Sequence, residues 1–217
     1  MGLLCRSWGF LRWFRWILGN IRTEHPTPFP ISFDIQAAFP LSFYDEKAAA
    51  VLTEKTLGNP ERHVVVFHEF VHCFQWETCE RELRKELEIE KQQRELNNFS
   101  WEIDYPFPYN DDFFVRMTSE MVSFEDYHAK MKEYLKVTDF EYLVWQEWKE
   151  GFARYVENLM RGELKMDLKR NTLSPPYDRV SFYELGSRYV DLLVEEDSTL
   201  GSRLDKLFYT MALYVSQ

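Results

Sequence analysis

Paired cysteines, a surplus of basic residues and an uninterrupted membrane-length apolar run are all missing from these 217 residues. Each absence excludes something. The three cysteines, Cys5, Cys73 and Cys79, form no C-x-x-C pair. An odd number at that spacing is neither a disulfide framework nor a zinc knuckle, and it reads as buried or idle thiols in a reducing compartment. Lysine and arginine together number 26 against 36 acidic residues, a formal charge of −10. A nucleic-acid binder needs a basic footprint to displace counterions, so nucleic acid is excluded as a partner. The apolar N-terminus is broken by Arg6, Arg12 and Arg15. It is therefore neither a spanning helix nor a clean signal peptide, and a cytoplasmic location is the expectation. No internal repeat or low-complexity linker divides the chain.

What is present is hydrophobic and aromatic, 45% and 17% of residues, enough for a globular protein with one core. The expected organisation is a single domain over 1–217 in three parts. Residues 1–22 read as an amphipathic basic and aromatic helix. Phe10, Trp13, Phe14 and Ile17 share one face, and Arg12, Arg15 and Arg22 lie opposite. Such a helix either docks on its own domain or lies on an anionic membrane surface as a peripheral anchor. Gly2 and Cys5 hint at acylation, but Arg6 stands where a myristoylation signal wants Ser or Thr. Residues 25–58 carry prolines that forbid a long helix and predict extended segments or an edge strand.

Residues 59–217 read as a mainly helical core. Asn59 as cap and Pro60 at the first helical position predict a helix running through residues 68–72 and beyond. Its tail, from Glu77 to Asn98, mixes acids and bases in helical phase and reads as a solvated face. Phe99 to Asp111 reads as an irregular aromatic loop flanking a cleft. Thr138-Asp139-Phe140-Glu141 fits a capping box opening a helix to Arg161. Pro175-Pro176 breaks the pattern, and helices over about 179–195 and 200–215 close the chain.

The segment His68-Glu69-Phe70-Val71-His72 carries the chemistry. In a helix, positions four apart lie one above the other, so both imidazoles can face one ion. Glu69 lies about 100° round from His68 and about 60° from His72, within reach of a water beside that ion. It suits a general base that takes a proton from attacking water and passes it to a leaving amine. Val64, Val65, Val66, Phe67, Phe70 and Val71 make the surroundings apolar, where unpartnered histidines would be costly.

A catalytic zinc wants three protein ligands. His25, His63 and His128 are candidates for the third, as is an acid on a later helix. Glu150 is the better candidate because Gly151 follows it within a helical pattern. A mid-helix glycine costs about 1 kcal/mol relative to alanine, and a close helix approach would explain it. For the groups that orient the imidazoles, Glu157, Glu147 and Asp178 are all open.

These motifs together resemble the gluzincin metallopeptidases. That family has His-Glu-x-x-His on one helix and a glutamate ligand on a later one, presented in the aminopeptidase branch as Asn-Glu-Gly-Phe-Ala. Here the run is Lys149-Glu150-Gly151-Phe152-Ala153, and Tyr183-Glu184-Leu185-Gly186 has the form of that branch's Tyr-x-x-Gly. The resemblance implies that His68, His72 and Glu150 bind one Zn2+ per chain, with Glu69 as catalytic acid and base. It implies Tyr183 as donor to the oxyanion, with Tyr177 and Tyr189 as rivals. It also implies a zincin-like α+β fold, in which a long active-site helix packs on a second, ligand-bearing helix. The segment between His72 and Glu150 is far longer than in the aminopeptidase branch, and no Gly-x-Met-Glu-Asn motif occurs. Aminopeptidase specificity therefore does not follow.

The expected function is a zinc-dependent peptidase acting on peptide or protein substrates. The alternative is a zinc-stabilised scaffold without turnover, with residues 1–22 as its route to a membrane surface.

Overall fold

A helix starts at Pro60, as the sequence predicts, and the protein that follows is built almost wholly of helices around it. The computed structural model describes residues 37–41, 45–52, 60–119 and 124–213, all within the unit Gln36–Gln217. Residues 1–22, the proposed cap Asn59 and the candidates His25 and Cys5 lie outside the described residues.

Among the described residues, two short strands precede the helices. Strand β1 (Ala37–Leu41) pairs antiparallel with β2 (Lys47–Val51), Ala37 opposite Val51 and Pro40 opposite Ala48. A proline is tolerated because each strand of a two-stranded ribbon has a free edge. Asp45 and Glu46 turn the chain in the left-handed region, at φ 54° and 56°. The hairpin is tied to the turn after the first helix. Trp76 Nε1 donates to the Glu46 carbonyl at 3.2 Å, and the Ala48 amide to Glu77 Oε1 at 3.1 Å. The expected fold is thus correct at its coarser level: mainly helical, with a small two-stranded sheet.

Helix α1 (Pro60–Gln75) carries the His68–His72 segment and runs on through a wide π-turn, Trp76–Glu80, into α2 (Arg81–Glu86). The chain breaks at Leu87, whose ψ of 135° is extended, and resumes as α3 (Glu88–Glu95). The solvated face expected here is only partly solvated, because Glu80 and Glu90 are buried. Arg84 bridges Glu90 and Glu102 at 2.6 Å each, and Lys149 bridges Glu80 and Glu102 at the same distance. Glu80 is met by a lysine from elsewhere in the chain, whereas Glu90 is met by Arg84 and Arg94 of the same segment.

The aromatic segment after Asn98 is partly turned into the core. It makes a short turn, α4 (Trp101–Asp104), which buries Trp101 completely. Phe107 then packs on Tyr142 and Phe182, with ring centroids 5.9 and 5.0 Å away. Helices α5 (Asp112–Ser119) and α6 (Phe124–Tyr134) follow.

The central rod is α7 (Val137–Gln146), a second π-turn (Glu147–Gly151) and α8 (Phe152–Glu163). Its expected capping box does not form. Helix α7 begins at Val137 without a side-chain cap. Asp139 instead accepts from the hydroxyls of Tyr105 and Tyr109, and Glu141 from the Ile89 amide at 2.8 Å. Tertiary donors outcompete the local ones. Trp145 and Trp148 are fully buried, 5.3 Å apart, against Phe208. Rings of this size remove about 150–250 Å2 each from water, worth roughly 4–6 kcal/mol apiece at about 25 cal/mol per Å2.

Helix α9 (Arg179–Glu196) is capped by Asp178, whose carboxylate accepts from the Ser181 amide. A 3-10 turn at Leu200–Ser202 leads to α10 (Leu204–Met211), so the last helix is shorter than expected. Helix α9 crosses the second π-turn at a glycine contact. A methyl group on Gly151 would stand 2.6 Å from the Gly186 backbone, and one on Gly186 would collide with the Glu147 carbonyl. Gly151 does mark a close helix approach, and the partner is the helix carrying Tyr183.

Candidate metal centre

Helix α1 presents His68 and His72 one turn apart, and the second π-turn sets Glu150 against them. A π-turn widens the backbone by one residue, which re-aims the side chains it carries. His72 Nε2 lies 3.2 Å, and His68 Nε2 3.5 Å, from the same Glu150 oxygen, Oε2. A tetrahedral ion with bonds of about 2.0–2.1 Å holds its ligand atoms about 3.3–3.4 Å apart. The two observed separations lie close to those edges. All three ligand atoms lie within 4.8 Å of one another, and all three residues are buried, so this group can hold a metal ion.

The imidazoles are oriented from behind. The Gln75 amide nitrogen donates to the carbonyls of Trp148 and Lys149, at 3.3 and 3.0 Å. Its oxygen must therefore face His72 Nδ1, 2.9 Å away, and accept that N–H. This tautomer leaves the Nε2 lone pair free to face Glu150. His68 Nδ1 lies 3.4 Å from Glu157 Oε2. The contact is one of charge, since Nδ1 is buried without hydrogen-bond geometry to any partner. Of the three acids open for this orienting role, Glu157 is the one beside a histidine of the group. Glu147 pairs with His128, and Asp178 caps α9.

The electrostatics of the group call for a cation. Burial alone would strip His68 of its proton, yet the Glu150 and Glu157 carboxylates outweigh it and raise the ring from 6.5 to about 9. Burial likewise opposes ionisation of Glu150, and His72 and His68 overcome it, holding that carboxyl well below its usual range. Glu157 is held at about 2, against burial, by His68 and then Arg154. In both carboxylates, neighbouring positive charge wins over desolvation.

Glu69 is 7% exposed, and among the described residues its carboxylate has no hydrogen-bond or ion-pair partner. Its charge is felt by both His68 and Tyr183. Tyr183 is half-buried at the start of α9, its ring centroid 6.4 Å from that of His68. Burial first, and then Glu150, push the phenol well above its ordinary pKa, so it remains a proton donor. Its rivals are engaged elsewhere. Tyr177 accepts from the Thr118 hydroxyl at 2.7 Å, and Tyr189 packs on His128 at 4.2 Å. Of the other candidate ligands, His128 sits in that separate buried cluster and His63 is exposed. Burial and then Glu69 push the Cys73 thiol up to about 12, and burial raises Cys79 to about 11, as idle thiols require.

Four polar neighbours were not foreseen: Gln75, Arg154, Arg161 and Arg179. Arg161 Nε donates to Glu157 Oε1 at 3.0 Å, and Arg154 Nε lies 3.1 Å from Glu157 Oε2. Each stands three or four residues from a predicted site residue along the same helix, so helical spacing was the signal that pointed to them. Compared with family models, with curated proteins and with solved structures, the chain matches none.

Proposed function

We propose that the chain is a zinc-dependent hydrolase of peptide bonds. The observation that carries this reading is the convergence of His68 Nε2 and His72 Nε2 on Glu150 Oε2, at 3.5 and 3.2 Å, with Glu69 buried and unpartnered beside them. Two imidazoles and a carboxylate suit zinc among the common divalent ions. Structural zinc sites are usually closed by four protein ligands, whereas among the described residues three donors make this group, which favours catalysis. When bound, zinc polarises a carbonyl and lowers the pKa of water towards about 7.

The remaining work falls to the side chains. Glu69 takes the proton of the attacking water and returns it to the leaving amine. Tyr183 donates its hydroxyl to the carbonyl oxygen as that oxygen gains charge. Gln75 fixes the tautomer of His72, and Glu157 sets the ring of His68.

A scaffold reading has one observation in its favour. The donors come from two separate elements, α1 and the second π-turn, so an ion would clamp them together. Metal analysis of purified protein, with cleavage of a mixed peptide library with and without chelator, separates the two. One zinc per chain and chelator-sensitive cleavage support the hydrolase. One zinc per chain, no cleavage and a fall in stability on chelation support the scaffold.

A further inference from the structure

We infer that the site selects substrates carrying a carboxylate next to the scissile bond, and that Arg179 reads that carboxylate with Arg154 behind it. The inference rests on the hydrolase reading above.

Two guanidiniums flank the ring of Tyr183. Arg179 lies 5.5 Å and Arg154 5.8 Å from its centroid. Arg154 is 4% exposed, and its Nε and Nη1 are buried without a hydrogen-bond partner. Its Nε is already ion-paired to Glu157 Oε2 at 3.1 Å, so Nη1 is the costly unmatched donor that an added anion would satisfy. Arg179 stands at the mouth, its side chain 36% exposed. Among the described residues its ion contact is a long one, 3.9 Å to Glu150 Oε1. It is therefore close to the ligand group and free to swing onto an incoming anion.

The charge balance points the same way. Glu69, Glu150 and Glu157 are matched in number by Arg154, Arg161 and Arg179, before any divalent ion is added. With the ion bound, the centre carries a surplus of two positive charges, in a chain whose formal charge is −10. Low-dielectric walls focus such a local field onto an anion. Distance sets the register. Arg179 lies within 3.9 Å of a ligand carboxylate, and an extended peptide advances about 3.3–3.6 Å per residue. A carboxylate on Arg179 thus belongs to a residue adjoining the bond that is cut. Arginine suits this task because its planar fork meets a carboxylate with two parallel hydrogen bonds.

The test uses the zinc-loaded protein and a peptide library made in matched halves, with Asp at each position in one half and Asn in the other. Cleaved Asp peptides are expected to exceed their Asn counterparts in kcat/KM by about tenfold or more. The substitution Arg179→Gln should bring the two halves to parity with zinc content unchanged. Parity in the parent protein, or a preference that survives Arg179→Gln, overturns the proposal. If the loaded protein cleaves no peptide, the hydrolase reading fails, and calorimetric binding of the same Asp and Asn peptides decides the proposal instead. Tighter binding of the Asp peptides, lost in Arg179→Gln, supports it. Equal binding of the two halves overturns it.

Discussion

Glu147 and Glu150 leave the same π-turn, and each meets histidine, but the two encounters end differently. His128 and Glu147 are fully buried and complete. The Nδ1 of His128 meets the Met211 carbonyl at 2.6 Å and its Nε2 meets Glu147 Oε2 at 2.5 Å, while the Tyr127 hydroxyl donates to Glu147 Oε1 at 3.1 Å. Every polar atom of that pair has a protein partner. Around Glu150 the opposite holds. Two imidazole nitrogens converge on one carboxylate oxygen, His68 Nδ1 and two Arg154 nitrogens lack hydrogen-bond partners, and Glu69 faces none. Between the two glutamates, Lys149 is saturated by Glu80 and Glu102. A single turn thus carries two closed charge clusters that bind the fold together and one unfinished cluster. Incompleteness, and not burial or charge, separates the functional candidate from the structural pairs.

The comparison breaks most sharply under paired alanine substitutions. His72→Ala should abolish stoichiometric zinc, and it should also lower the stability of the metal-free protein, because His72 leads the groups that hold the buried Glu150 carboxylate ionised. His128→Ala strands Glu147 in the core, and breaking a buried pair of this kind costs about 3–5 kcal/mol. The folded fraction of that variant should still take up zinc. Metal content and chemical denaturation of both variants check this, and zinc loss from well-folded His128→Ala would sink the distinction.

Within the unfinished cluster, Glu69→Gln should keep zinc and lower turnover by about 10²–10⁴-fold, the range for a positioned general base. Equal zinc content and unimpaired cleavage would remove Glu69 from the chemistry. Tyr183→Phe should cost about 2.7–4 kcal/mol in the transition state, or roughly a hundred- to a thousandfold in kcat. Zinc content and thermal stability should hold, since Tyr183 is only half-buried. Should Tyr183→Phe unfold or lose zinc instead, the residue belongs with the structural pairs.

The contrast also shows what a linear sequence displays. His68 and His72 were legible because helical periodicity is local, and Glu150 because a glycine beside it needed a reason. That reason, contact with Gly186, lies on another helix, and only the fold reveals it. The capping box at Thr138 failed because Asp139 and Glu141 found tertiary donors that no local pattern shows. Glu80 looked solvated for the same cause, since its partner Lys149 comes from another element, whereas Glu90 is paired by Arg84 and Arg94 of its own segment. Arg154 and Gln75 were within reach of spacing alone, four residues after Glu150 and three after His72. Short-range geometry is written in the sequence, and long-range charge pairing is not.

The smallest expected effect is one of pH, and it sharpens the comparison through the proton that takes the place of a cation in metal-free protein. Because His68 is raised from 6.5 to about 9, its proton must leave before its nitrogen can bind an ion. Zinc affinity should therefore climb with pH up to about 9, by up to tenfold per unit, where an ordinary histidine ligand would level off near 6.5. The sign of the stability change is fixed by the same shift. A pKa raised on folding stabilises the metal-free protein fully below 6.5, and that contribution fades as pH rises through about 9. Metal-free protein should thus unfold more readily at pH 9.5 than at pH 6 by this contribution, and the zinc-loaded protein should not share the loss. Competition titrations with a chelator of known proton affinity, alongside denaturation of both forms, give the two slopes. A zinc affinity that levels off near pH 6.5 would mean that Glu150 and Glu157 do not hold a proton on His68.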